Sequence, residues 1–281
     1  MLNRPSKLYG STFPFFWVLV ALAMLWSFFP IFWVLLNSVR PPSLMFAFPP
    51  KLIFSPILSN FQELFIKFPA FLEGFQASVF ITTIASLATV LLSSMAAYSL
   101  SRFDFLFKRE LSFSLIAIRL VPPIAITVPL FPLFHQMRLL DTFFGLGLLY
   151  VVFRVSFSTL LMKGFIDKVP LSQDESAQID GASSPMIFMR IILPQVLPGL
   201  AATLIYNFIL NWNDFILAFI FTRANAVTAP IRLKEMLGGV YGVEWGPLFA
   251  ATALMLLPTL ILVWLIQRFL LEGFSVNTDI T

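Results

Sequence analysis

Side chains able to do chemistry are scarce in this 281-residue chain, and the scarcity narrows what it can do. There is no cysteine, which excludes disulfides, iron–sulfur clusters and thiolate metal sites. The single histidine, His135, cannot build a histidine-based metal site within the chain and reads as a polar side chain in a loop. None of the twelve glycines is followed by lysine, so the G-x-x-x-x-G-K-[ST] phosphate loop is missing. No acid pair is clustered either, which leaves an enzyme without a catalytic set. What remains is three ionisable residues inside long apolar runs, Arg119, Arg154 and Asp214, and one polar segment between two such runs, "ESAQIDGASSPMIFMRIILP", Glu175 to Pro194.

The elements that must position these groups are membrane spans. The chain is 59% hydrophobic and 11% charged, against about 25% charged in a soluble domain. Its net charge of +4 comes from scattered Lys and Arg rather than a basic face, so no nucleic-acid partner is expected. A helix needs ~20 apolar residues to cross a bilayer. Six runs qualify: 13–36, 74–100, 111–134, 142–162, 196–222 and 246–267. The expected fold class is therefore an all-α polytopic membrane protein. Arg4 and Lys7 precede the first run as in a signal peptide, but the run is too long for one and no small-residue cleavage site follows, so it reads as a retained span. With the N-terminus cytoplasmic, inner segments hold nine Lys and Arg and outer loops seven, a small bias in the positive-inside direction. The outer loop 37–73, rich in proline and aromatics, should be ordered without being helical throughout.

The polar segment has the grammar of two short helices. Ser172 and Glu175 have capping-box spacing, which predicts a helix from Gln173. Gly181 supplies its left-handed end. Ser184 followed by Pro185 reads as an N-cap and first helical residue, opening a second helix that Pro194 closes or kinks. Ala177, Ile179, Ile187, Phe188 and Ile191 can supply apolar faces. This is either an amphipathic loop packed on the bundle or a docking element for another protein.

An arginine at bilayer depth costs at least ~2.5 kcal/mol, so Arg119 and Arg154 must face protein or water. They lie about 13 Å and 18 Å into their spans. Prolines 122, 123, 129 and 132 must break the helix after Arg119, and broken backbone is tolerated only where it lines a cavity or is covered by protein. Both arginines are thus candidates to border a solute path. Each can equally be tied to carbonyls and interhelical partners. Asp214, beside Trp212, reads as a structural or gate residue.

The spacing of Glu175, the small residue Ser176, Ala177, Gly181, Ile191, Leu193 and Pro194, between the fourth and fifth of six spans, resembles the EAA loop of binding-protein-dependent ABC importer permeases, with serine where alanine is usual. "AAYSLSRFDF" (Ala96 to Phe105), "PLFPLFHQMRLLDTFFGL" (Pro129 to Leu146), "NWNDF" (Asn211 to Phe215) and "QRFLLEGF" (Gln267 to Phe274) are similar to signatures of the maltose-type sugar permeases. The C-terminus "SVNTDIT" departs from the basic, glycine-rich ending common there. The resemblance implies the type I importer permease fold with a cytoplasmic coupling-helix pair at 172–194, and both termini inside. It implies a homologous second permease, two ATPase subunits that bind ATP and Mg, and an extracytoplasmic solute-binding protein. Glu175 would contact the ATPase, Gly181 set the angle between the helices and Pro194 join them to the fifth span. Arg119, Pro122, Arg154, Asn207, Asn211 and Asp214 become candidates for the solute pathway. In 223–245, a flexible loop or short amphipathic helix, Gly238, Gly239 and Tyr241 become candidates to touch the binding protein. The solute implied is an oligosaccharide, disaccharide or polyol. A self-sufficient ion-coupled carrier using Arg119, Arg154 and Asp214 is the rival reading, for which no inverted repeat is found.

Overall fold

The computed structural model describes residues 13–238 and 242–275. Helices follow in the order α1 (Phe13–Ser38), α2 (Ser59–Lys67), α3 (Pro69–Arg102), α4 (Lys108–Ala117), α5 (Pro123–Gln136), α6 (Phe143–Ile166), α7 (Leu171–Ile179), α8 (Ser184–Ile187), α9 (Leu193–Gln195), α10 (Leu197–Trp212), α11 (Ile216–Phe221), α12 (Ala229–Met236) and α13 (Trp245–Ser275). No strand occurs among the described residues. Four helices, α1, α3, α6 and α13, are long and apolar enough to cross a membrane, or six spans if each of two bent pairs is one.

The chain divides into two compact units, 1–69 with 236–254, and 70–235 with 255–281. In the first, the apolar window of α1 buries nothing within the chain, and Trp26 is 84% exposed. A helix apolar on every side that buries none of its apolar window within its own chain belongs in lipid or against another subunit. Buried Asn60 ties α2 to the end of α1, donating to the carbonyls of Ser38 and Arg40 at 2.9 Å each. Lys67 bridges Glu63 (3.0 Å) and Glu244 (2.7 Å).

In the second unit α3 supplies a buried file of small residues, including Ala77, Ser78, Ala85, Ser86, Ser93 and Ala97. Small side chains let helix backbones approach closely, which is how membrane helices gain packing energy when lipid removes the hydrophobic drive. The hydroxyls of Thr89, Ser93 and Ser94 turn back on their own helix, as in Thr89 Oγ1 to the Ala85 carbonyl at 2.7 Å. One apolar cluster gathers Ile81, Leu146, Tyr150, Leu217 and Phe221. Another gathers Ala97, Met162, Ile166, Ile187 and Ile192 around the polar segment.

The break expected after Arg119 falls at Val121, where α4 with its terminal 3₁₀ turn meets α5 at 97°. Val121 is extended (ψ 123°), as a residue before proline must be. Pro122 then opens α5, whose first residue is Pro123. The run 196–222, expected as one span, is interrupted: α10 stops at Trp212 and α11 starts at Ile216. Here Asn213 Nδ2 donates back to the Ile209 carbonyl (2.8 Å), and Asp214 Oδ1 accepts from the N–H groups of Leu217 (3.0 Å) and Ala218 (3.4 Å). Short polar side chains compete with the helix for its own backbone, which hydropathy cannot register.

Candidate coupling knob and intramembrane polar cluster

The polar segment forms a helix–turn–helix. α7 begins at Leu171 with Pro170 as its N-cap and no side-chain cap. The capping box expected of Ser172 and Glu175 does not form, because proline at 170, with its fixed φ and no N–H to contribute, sets the boundary two residues early. Ser172 lies inside the first turn, and its carbonyl accepts the Ser176 hydroxyl at 2.8 Å. At the other end Gly181 takes φ +81°. Ala182 N–H reaches the Ala177 carbonyl (2.9 Å) and Gly181 N–H the Gln178 carbonyl (3.0 Å), the paired closure of a Schellman turn.

The second helix has Ser183, not Ser184, at its N-cap position, with no side-chain cap bond, and Pro185 is its second residue. α8 passes through a π turn, Phe188–Ile192, into α9. The chain then bends by 80° into α10 at Val196, two residues beyond Pro194. Pro198 accounts for this: it has no N–H to give the Pro194 carbonyl, and its ring would strike that carbonyl in a continuous helix.

α7 buries only Asp174 and Ala177. Arg102, the last residue of α3, donates through Nε to Asp174 Oδ2 (3.0 Å) and through Nη2 to the Val169 carbonyl (2.8 Å), with both charged side chains under 10% exposed. The Phe188 ring lies tilted against Tyr98, ring centroids 5.1 Å apart. Ile187 and Ile192 are fully buried, and Ile191 and Leu193 lean against the same cluster. Ile179 contradicts its expected packing role: it is 87% exposed. Glu175, Ser176 and Pro194 are exposed as well. The knob is thus anchored from beneath and presents a carboxylate and an isoleucine outward.

Of the pathway candidates, Arg154, Asn211 and Asp214 come together. Arg154 on α6 donates through Nε to Asn211 Oδ1 (3.2 Å) and through Nη2 to the Leu210 carbonyl (3.4 Å), and pairs with Asp214 Oδ2 (3.5 Å). Asn211 continues to Ser86 Oγ on α3 (3.2 Å). One turn away Asn207 exchanges hydrogen bonds with Ser158 (2.8 and 3.0 Å). Low local dielectric makes such a network strong when satisfied and costly when broken. Arg119 stands apart at the α4–α5 break, beside Pro122. Its guanidinium lies 4.1 Å over the Phe157 ring, donates to the Tyr206 hydroxyl (3.1 Å) and is exposed. These partners are thus distinct from the Asn211 and Asp214 that hold Arg154.

In 223–246 the structure places α12, then Gly238 in an exposed turn; Gly239 and Tyr241 lie outside the described residues. Ahead of α12 the backbone wraps a carboxylate. Asp141, in the turn before α6, accepts from the N–H groups of Arg223, Ala224, Asn225 and Ala226 at 2.9–3.2 Å. Burial alone would push this carboxyl up; the four backbone donors outweigh it and hold it below the usual carboxylate range.

A knob between two spans, set at the end of a long helix and followed by a broken one, can be compared with known proteins. The family model for binding-protein-dependent transport system inner membrane components matches residues 89–271, well over half of the chain and including the knob. The chain belongs to that family. It is a transport subunit with several spans in the cytoplasmic membrane. It is 32% identical over 267 residues to a probable ABC transporter permease of Sinorhizobium fredii, covering 94% of this chain and 93% of the relative. It is 31% identical to the trehalose/maltose transport system permease of Thermococcus litoralis over 75% of each chain. Identity to the diacetylchitobiose uptake system permease of Streptomyces coelicolor is 32% over 73% of this chain and 68% of that one. The crystal structure of a bacterial ABC transporter involved in import of the acidic polysaccharide alginate superposes with a TM-score of 0.79 at 19% identity, covering 94% of this chain and 99% of its counterpart, which establishes the importer permease fold.

Arg102, Asp174 and Asp141 carry no local sign of their partners in the sequence, although Arg102 lies in "AAYSLSRFDF" and Asp141 in "PLFPLFHQMRLLDTFFGL". The partners lie 72 residues apart for Arg102 with Asp174 and 82 to 85 for Asp141, and no local spacing signals such pairs.

Proposed function

We propose that this chain is the permease subunit of an ATP-driven, binding-protein-dependent importer of carbohydrate, forming half of the translocation path by alternating access. The observation that carries this is the knob: a buried anchor, Arg102–Asp174, beneath a helix that leaves Glu175 and Ile179 free. A helix presenting a charged and an apolar side chain on a rigid base suits a groove on a partner. That partner is an ATPase subunit, two copies of which bind ATP and Mg and supply the energy the chain has no phosphate loop to harvest. Glu175, Ser176, Ala177, Gly181, Ile191, Leu193 and Pro194 form the coupling element. A homologous second permease provides the other half of the path. An extracytoplasmic binding protein delivers solute to a surface that includes Gly238, Gly239 and Tyr241. The knob and both termini are cytoplasmic. Carbohydrate is the solute class because the named relatives handle trehalose, maltose and diacetylchitobiose. Arg119, Pro122, Arg154, Asn207, Asn211 and Asp214 border the path.

The Arg154–Asp214 pair favours a second reading, an ion-coupled carrier. A pull-down from native membranes separates the two, with wild type compared against Glu175→Arg combined with Gly181→Pro, since proline cannot adopt φ +81°. Recovery of a second permease and ATPase activity with wild type, and loss of the ATPase from the mutant, is expected. A chain that elutes alone and drives uptake into proteoliposomes on an ion gradient would overturn the importer reading.

A further inference from the structure

Asp141 is unused by this proposed function, yet it is the most heavily bonded carboxylate among the described residues. Its Oδ1 accepts from Arg223 N (2.9 Å), Ala224 N (3.1 Å), Asn225 N (3.0 Å) and Ala226 N (3.2 Å), while Oδ2 accepts from Ala224 N, Asn225 N and Asn225 Nδ2 (3.0–3.1 Å). The tie runs both ways, because Asp141 N–H donates to the Phe221 carbonyl at 2.8 Å. Successive backbone N–H groups curling around an anion make a concave site that a fixed carboxylate can fill permanently. Asp141 also holds φ +57°, a conformation that non-glycine residues adopt at a cost and keep where surrounding bonds over-determine it.

Each side of this clamp is stiff. Thr142, the next residue, caps α6 by accepting from Gly145 N at 2.9 Å, and any side chain at Gly145 would run into the Leu139 carbonyl. Across the clamp, Ala229 N donates to Ser78 Oγ (2.8 Å), and Arg232 of α12 reaches back to the Ala224 carbonyl (3.4 Å). From the clamp α6 runs unbroken for 24 residues, about 36 Å. It carries Arg154 midway and leads to Val169, whose carbonyl receives the same Arg102 that holds Asp174 in the knob. One bonded series therefore connects the segment before α12 with the coupling helix.

We propose that Asp141 is a positioning residue for coupled transport: it locks residues 223–226 to α6, so that displacement of that segment by the solute-binding protein is delivered along α6 to the knob. The proposal rests on the importer reading. A purely local brace would affect folding alone; a transmitting clamp affects the response to the binding protein.

The test uses the assembled complex in nanodiscs, comparing wild type, Asp141→Asn and Asp141→Ala. ATPase activity is measured without, and with saturating, solute-loaded binding protein, alongside a melting curve and amide exchange at 223–226. In the alanine variant, basal ATPase should stay within about twofold of wild type while stimulation falls about tenfold, the size of an ordinary coupling free energy. The asparagine variant should be intermediate, since its amide keeps one acceptor oxygen. Full stimulation in the alanine variant overturns the proposal. So does a parallel fall of basal rate, stimulated rate and melting temperature in both variants, which would mark a brace only. Fast exchange of the 223–226 amides in wild type would show that no clamp exists, whatever the complex transports. A wild-type complex indifferent to every solute-loaded binding protein would instead sink the importer reading, and the clamp's role with it.

Discussion

Asp174 and Asp141 are two carboxylates held in opposite ways. Asp174 is buried under one guanidinium, Arg102, whose other end fixes the Val169 carbonyl. Asp141 has no cationic partner among the described residues and is held by four consecutive backbone N–H groups, with Asn225 Nδ2 beside them. The first arrangement depends on one side chain, so a single substitution can strand a charge in a dry site. The second draws on groups that every residue but proline carries, so it tolerates most changes in 223–226 and fails only when the carboxylate itself is lost. Side-chain anchoring makes the knob strong but vulnerable; backbone anchoring fixes the path of a loop whatever its sequence.

Breaking the first anchor should have the largest effect. Arg102→Ala leaves Asp174 buried without its partner and is expected to destabilise the chain by about 3–5 kcal/mol, read as a lower melting temperature in detergent. The double variant Arg102→Leu with Asp174→Leu should recover most of that loss, since apolar residues can replace a buried pair at little cost. A double variant no better than the single one would mean that the pair does more than neutralise itself. Asp141→Ala should cost less, about 1–3 kcal/mol, because water can reach part of the exposed N–H row. Swapping residues 223 and 224 for other non-proline residues should leave melting unchanged, and a large loss would show that side chains hold this loop after all.

Because the Asp141 carboxyl titrates below its unfolded value of about 3.9, the clamp's contribution is present above that value and is lost as pH falls through the lower folded one. Amide protection at 223–226, corrected for intrinsic exchange, should therefore be flat from pH 8 to pH 5. At the knob's turn, Gly181→Ala should cost about 1–2 kcal/mol through φ alone, as nothing lies within 4 Å of the added methyl. Smallest of all, Ser172→Ala should shift stability by no more than about 0.5 kcal/mol, because its hydroxyl caps nothing. A loss near 1 kcal/mol would revive the capping box.

Much of this molecule is written locally. Long apolar runs declare spans, Gly181 declares its turn, and prolines 122 and 123 declare a break, each because one residue's chemistry or a short periodicity suffices. Local signals also misled where two competed: Pro170 pre-empted the cap at Ser172, Pro198 rather than Pro194 set the bend, and Asn213 and Asp214 interrupted a run that hydropathy reads as continuous. The knob's residue pattern was legible as a motif, but Ile179, equal in hydropathy to its neighbours Ile187 and Ile191, was turned outward only by the docking of α7.

The sequence by itself determined that this chain lives in a bilayer, lacks a G-x-x-x-x-G-K-[ST] phosphate loop, and interrupts its spans with a helix pair built around Gly181. Only the tertiary structure decided which charges meet. Arg102 with Asp174, Arg154 with Asp214, and Asp141 with the 223–226 backbone are pairings across 60 to 85 residues. Sequence periodicity reports the face a residue occupies on its own helix, whereas a partner is chosen by how helices pack, and that choice depends on the whole chain at once.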